Sequence, residues 1–370
     1  MKRILLLLLV CIWTMPLLSF AETIDSFTET AVILEAVQGE ETTLEGSFID
    51  ETQSVKLKII SGKYKDKVFE IINHLSGNYV YDIPVKAGDK VVVVIEELDD
   101  GSVDVFISDY MRQNYILYLY LFFILLLLIV GKAKGLKSVI SLTITILAVL
   151  KILLPAILSG LNPVIITICI SIAVTIITIF IIAGVNTKSI AAIIGTSTGV
   201  IVAGLIAYYI GSKVKLTGLS NEEAVMLMYL PQQVNFDFKG LLFSGIIMGA
   251  LGAVMDVGMS IASSVEEIHK VNSNLSRKEL FNAGMNVGRD VMGTMTNTLI
   301  LAYTGSSIPL LLIFMAYETS VIKIMNLDII ATEVIRALSG STGLILAIPI
   351  TAMVSSLLLK REKKKSDVGL

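Results

Sequence analysis

Between residues 249 and 305, carboxylates, amides, hydroxyls and the Arg289 guanidinium recur at helical spacing among apolar residues. Asp256, Ser260, Ser263 and Glu267 stand at i, i+4, i+7 and i+11, which on an α-helix is one continuous polar stripe. Downstream, Asn286, Asp290, Gly293 and Asn297 share a second face, with Arg289, Thr294, Thr296 and Thr298 beside it. A carboxylate at hydrocarbon depth costs about 2.5–3.5 kcal/mol on insertion scales, so Asp256 is expected to face a bundle interior, a water path or a partner cation. The chemistry open to such a constellation is reversible binding of a proton or cation. Two antiparallel helices with facing stripes would make Asp256 and Arg289 natural partners, and protonation of Asp256 would unlock them. Asp256, Ser260, Asn286, Arg289, Asp290, Thr294 and Asn297 are therefore read as a substrate or ion path. The competing reading is that these groups satisfy one another and fix helix register.

Two helices must position these residues. The first spans 240–263, where Gly245, Gly249 and Gly252 are read as a close-packing face. The second opens at a capping box, Ser276 with Glu279, and runs on for about 28 residues or about 42 Å, so 277–289 is expected to form a cytoplasmic elbow before the span. Further spans are expected near 114–131, 138–159, 162–184, 188–211, 290–305, 308–326 and 341–359, each of about 20 apolar residues. Gly195, Gly199, Ala203, Ala207 and Gly211 recur every four residues as a second packing ridge. Lys151, just before the helix-kinking Pro155, is read as a snorkelling lysine. Eight full crossings would leave Lys360, Arg361, Lys363, Lys364 and Lys365 outside, against the positive-inside rule. Treating 308–326, interrupted by Glu318 and Lys323, as re-entrant gives seven crossings and a cytoplasmic tail.

Composition supports a polytopic membrane protein. Of 370 residues, 54% are hydrophobic and only 16% charged, and the mean hydropathy is +0.80. The net charge of −3 is unevenly spread. Residues 1–21 carry two bases, residues 22–112 carry 8 bases against 19 acids, and residues 113–370 carry 19 bases against 13 acids. The first block, with its leucine run and Ser19 and Ala21, reads as a cleavable signal peptide. The second, 22–112, reads as an exported acidic domain. Its period-two runs at 31–37, 54–60, 67–72, 90–98 and 102–107, the last two forming a hairpin, suit a small β-barrel of the OB type. Residues 113–359 make the helical bundle and 360–370 a basic tail.

Several classes fall away. A surface of net −11 repels nucleic-acid backbones. Cys11 and Cys169 lie in apolar runs, and with only His74 and His269 besides, neither a disulfide framework nor a zinc cluster is expected. No H-E-x-x-H, G-x-S-x-G or P-loop pattern occurs, so an enzyme is not expected and no cofactor or metal is assigned.

The stretches GALGAVMDVGMSIASSVEEI at 249–268, ELFNAGMNVGRDVMGTMTNTLILAY at 279–303 and EVIRALSGSTGLILAIPITA at 333–352 resemble the YibE/YibF-like family of bacterial multi-pass membrane proteins, as do Gly88–Lys90 and Asp109–Arg112. The resemblance implies a location in the bacterial cell membrane and carries over no catalytic residues. Two functions are kept in view: an ion-gradient-coupled permease or efflux component, and a non-transporting scaffold presenting its exported domain. The partners expected are the lipid bilayer and either a membrane or extracytoplasmic protein or a second copy in a homo-oligomer.

Overall fold

The computed structural model describes residues 26–39, 51–78, 80–98, 101–229, 235–317 and 320–366, with side chains to 359; the expected signal peptide and the side chains of the basic tail lie outside them. Two compact units are present, one holding the strands and ending at Leu126, the other running from Leu127 onward.

The first unit is an antiparallel sheet of β1 (Ser26–Gln38), β2 (Glu51–Ile59), β3 (Val68–Leu75), β4 (Lys90–Glu97) and β5 (Val103–Tyr110), in the order β3-β2-β1-β4-β5. Alternation decides the register: Ala31 and Ile33, Val55, Leu57 and Ile59, and Val91, Val93 and Ile95 are all buried on one face, and a one-residue slip would expose the whole set. The outermost strands β3 and β5 approach each other without sharing a ladder, which leaves a half-barrel. The segment before β4 closes over the core through Val85. Gln53 accepts from the Val85 amide at 3.0 Å and donates to its carbonyl at 3.3 Å, and Asn73 donates to the Ile83 carbonyl at 2.9 Å.

The helices of the chain are α1 (Gln113–Ala148), α2 (Leu154–Leu158), α3 (Pro163–Ala183), α4 (Thr187–Lys213), α5 (Glu222–Met226), α6 (Phe238–Val271), α7 (Arg277–Ser306), α8 (Ile308–Ala316), α9 (Val321–Met325) and α10 (Asp328–Ser366). Among the described residues, five helical stretches are long and apolar enough to cross a membrane, or six if the α7–α8 pair, bent by 61°, is one span. Eight separate spans are therefore not what length and composition return. The stretch from Gln113 to Leu158 is two helices, as expected, meeting at a kink where Lys132 leaves helical geometry with φ 48° and ψ −127°. Between α1 and α2 the Leu154 amide reaches back to the Val149 carbonyl, a π-turn that absorbs the missing donor of Pro155.

Side-chain caps start the bundle helices. Asn162 accepts from the Ile165 amide, Asn186 from Ser189, Asp237 from Gly240, and Ser276 with Glu279 forms the expected capping box. The core packs α4 between α6 and α10, with α7 against both α6 and α10. A Cβ on Gly199 would lie 2.7 Å from both the Gly343 carbonyl and Val254 Cγ1. Gly195 meets Thr351, and Gly211 approaches Phe243 Cε1 at 2.6 Å. The α4 ridge is thus the close-approach surface expected of it.

The neighbour pairs also fix helix directions. Gly284 lies on Ala352 and Gly288 on Ile348, so α7 and α10 are antiparallel and 307–327 starts and ends on one side of the bundle. The break between α8 and α9 makes 308–326 an incomplete span rather than a single helix.

Candidate functional site

The α6–α7 pair is antiparallel, with Val265 against Gly284, Ile261 against Gly288 and Tyr303 Oη 2.7 Å from a Cβ on Gly249. Continued along the helices, this register sets Asp256 opposite Gly293, Gly252 opposite Asn297 and Ser260 opposite Arg289. The capping box starts α7 and the Asp237 cap starts α6, so both helices hold this register rigidly from their first turns.

The buried face of α6 carries Val254, Val257, Gly258, Ile261 and Val265; that of α7 carries Leu280, Gly284 and Gly288. The polar stripes lie on the opposite side. Asp256, Ser260, Asn286, Arg289, Asp290, Thr294 and Asn297 are all exposed. Asp256 and Ser260 lie on the outward face of α6 and the other five on the outward face of α7, so both stripes are on the outside of the bundle and do not face each other.

Two expectations are corrected here. Asp256 and Arg289 do not form a pair. The Arg289 Nη1 donates instead to Asn286 Oδ1 at 3.0 Å, one turn back on its own helix. A one-turn offset in height separates Asp256 from Arg289, which is why the nearer amide captures the guanidinium. Gly245 and Gly252 are exposed, and a Cβ on either, or on Gly293, would meet nothing within 4 Å; of the three expected packing glycines Gly249 alone has a close neighbour, Tyr303 of α7. Among the buried small residues of α6 is Gly258, whose Cβ would lie 2.7 Å from Thr196 Oγ1.

At the end of the bundle where α4 begins and α6 finishes, charge is gathered and paired. Lys188 Nζ meets Glu266 at 2.8 Å, and Lys270 meets Glu267 at 2.7 Å and Glu266 at 3.5 Å. No such pairing exists deeper along α6. Asp256, Asp290 and Arg289 make no ion pair among the described residues.

Two further features were not foreseen. The bundle interior is polar through hydroxyls: Ser141 donates to Thr178 at 2.9 Å, and Thr196, Thr351 and Ser355 are buried among α4, α6 and α10. Beside α7, α8 and α10, a cavity of about 250 Å³ is lined mainly by apolar side chains, with Tyr303, Thr304, Ser307 and Glu333 as its polar members. Arg336 Nη1 meets Glu333 at 2.8 Å and its guanidinium lies over the Tyr303 ring at 5.9 Å. A Glu and an Arg three residues apart in an apolar helix was the available signal. Among the described residues no group of His, Cys, Asp and Glu has metal-binding geometry.

The YibE/F-like protein family matches residues 119–361, and the YibE/F family N-terminal domain matches residues 27–110. The chain belongs to the YibE/F-like family. The first match takes in α6, α7 and the cavity at Glu333, and the second coincides with the half-barrel, so both units of this YibE/F-like protein are accounted for by family membership. No curated protein matches the chain, and no solved structure does.

Proposed function

We propose that this YibE/F-like protein is a permease or efflux component of the bacterial cell membrane, driven by an ion gradient, in which Asp256 binds the proton or cation and the exposed polar faces of α6 and α7 guide the solute. The observation that carries the reading is the polar stripe exposed on each of two antiparallel, mutually packed helices, Asp256 and Ser260 on α6 and Asn286, Arg289, Asp290, Thr294 and Asn297 on α7. Ionisable groups within membrane-spanning helices mark ion or substrate pathways by default.

The topology we propose has seven crossings. The stretch Gln113–Leu158 is about 69 Å long at 1.5 Å per residue, more than twice the hydrocarbon thickness, and the break at Lys132 supports two passes there. With α3, α4, α6, α7 and α10 the total is odd, so the half-barrel lies outside and the basic tail inside, in keeping with the charge bias. On this reading the half-barrel is an OB-type exterior module.

The test is flux. Cells with the wild-type chain and cells with Asp256→Asn are compared for ion and metabolite content, and the solute that differs is then followed in proteoliposomes under an imposed proton gradient. Gradient-dependent uptake lost in Asp256→Asn, with the protein still folded, supports the permease. Unchanged flux refutes it and favours the scaffold.

A further inference from the structure

The cavity beside α7, α8 and α10 lies within the bundle unit, and none of its lining residues belongs to the two polar stripes. Its volume of about 250 Å³ compares with about 150 Å³ for a cavity that holds one benzene, so it admits a molecule of about ten non-hydrogen atoms. Ile300 and Tyr303 of α7, Leu311 of α8, and Ile330, Val334 and Leu338 of α10 form its walls, which calls for an apolar body.

Charge and hydrogen bonding narrow the class further. Among the lining residues Glu333 alone is charged at neutral pH, and Arg336, one turn on along α10, already meets it at 2.8 Å with the guanidinium over the Tyr303 ring. A charged ligand would arrive there without a counter-ion, so a neutral one is favoured. Hydrogen bonding at the pair is incomplete. Glu333 Oε2 is buried with no hydrogen-bond partner, and the Ser307 hydroxyl spends its proton on the Tyr303 carbonyl at 3.1 Å, leaving Ser307 Oγ free to accept. Both groups ask for a donor. The last torsion of a glutamate is broad, so the carboxylate can turn toward the cavity and keep Arg336 on one oxygen.

We propose that this cavity binds a neutral, largely apolar molecule of about ten non-hydrogen atoms whose one N–H or O–H group donates to the Glu333 carboxylate. A second donor on the same molecule would find Ser307 Oγ. The site goes beyond the permease reading and does not depend on it, because occupancy of the cavity requires neither Asp256 nor an ion gradient.

The experiment measures equilibrium binding of radiolabelled indole, a neutral aromatic of this size with one N–H, to the full-length protein in lipid nanodiscs, with partition into empty nanodiscs subtracted. Saturable binding of one indole per chain is expected. Indene, of the same shape but without a donor, should bind at least about tenfold more weakly. Glu333→Gln should weaken indole about three- to tenfold and leave indene unchanged. Ala337→Phe fills the cavity from α10 and should abolish binding with little change in melting temperature. If that variant does not fold, Leu311→Trp fills the same space from α8, at a partly exposed position outside the packed core. Binding that never saturates, that survives the filling variant, or that is equal for indole and indene would overturn the proposal. A lipid chain retained by the purified wild type and lost with the filling variant would overturn it too. Asp256→Asn should bind indole as the wild type does, which keeps failure of the permease reading distinct from failure of this site.

Discussion

Gly199 on α4 and Gly343 on α10 meet backbone to backbone, each standing where a side chain on the other would have to go. The crossing also brings Val254 of α6 and Ala203 of α4 into contact, so three helices are packed at one point. Gly199→Leu or Gly343→Leu should force α4 and α10 apart and cost about 1–3 kcal/mol or more. Gly245→Ala, where a Cβ meets nothing within 4 Å, should leave stability unchanged or slightly improved. Thermal melting of the purified protein in one detergent distinguishes the two classes.

The ion pair of Lys188 with Glu266, both side chains about one-fifth exposed, ties the start of α4 to the end of α6. Lys188→Ala leaves a half-buried carboxylate to the more distant Lys270 and should cost about 1–3 kcal/mol, whereas Lys188→Arg should restore most of it. The same melting measurement reads the difference, and high salt should not mimic the alanine variant, because a pair this sheltered is poorly screened.

Acid should loosen the half-barrel. The Lys63 ammonium and the Tyr64 hydroxyl donate to Glu97 and hold its carboxyl below the usual carboxylate range; the Ser76 amide does the same for Asp82, and the Lys58 ammonium for Asp66. A carboxyl whose folded pKa is depressed contributes fully above its unfolded pKa, and that contribution is lost as pH falls through the folded value. Amide exchange in β3–β5 of the full-length protein, corrected for intrinsic rates, should therefore accelerate below about pH 4. Glu97→Gln should flatten part of that dependence, and an unchanged profile would count against the Glu97 contacts.

The proposed seven crossings would place Lys134 and Lys364 on the same inner side. In a background with Cys11 and Cys169 changed to serine, Lys134→Cys and Lys364→Cys should react with a membrane-impermeant thiol reagent only after permeabilisation, and Val80→Cys without it. External labelling of Lys364→Cys in intact cells would remove the odd count.

The strands were legible because period-two alternation in water marks one face as buried, and β4, with Val91, Val93 and Ile95 inward, shows why. The start of α7 was legible too, through Ser276 and Glu279. The facing of α6 was not. Both of its sides carry small residues and apolar bulk, and in a bilayer the hydrophobic effect does not choose between lipid and protein contact. Gly252 and Gly258 look alike in sequence, yet one is open and the other lies under Thr196. For the same reason spacing gives one polar stripe on each helix, while the side of the bundle each stripe occupies depends on how α4 and α10 fill the interior. The Glu333–Arg336 pair escaped because its partner Tyr303 sits on a different helix.

The Gly199–Gly343 crossing has a bearing on how such a chain can vary. Glycine has no smaller replacement, so this contact already stands at the lower limit of side-chain volume. Any drift at either position can only enlarge it, and a compensating change would have to move the backbone of a whole helix. Lineages that diverge here must either keep both glycines or repack α4, α6 and α10 together.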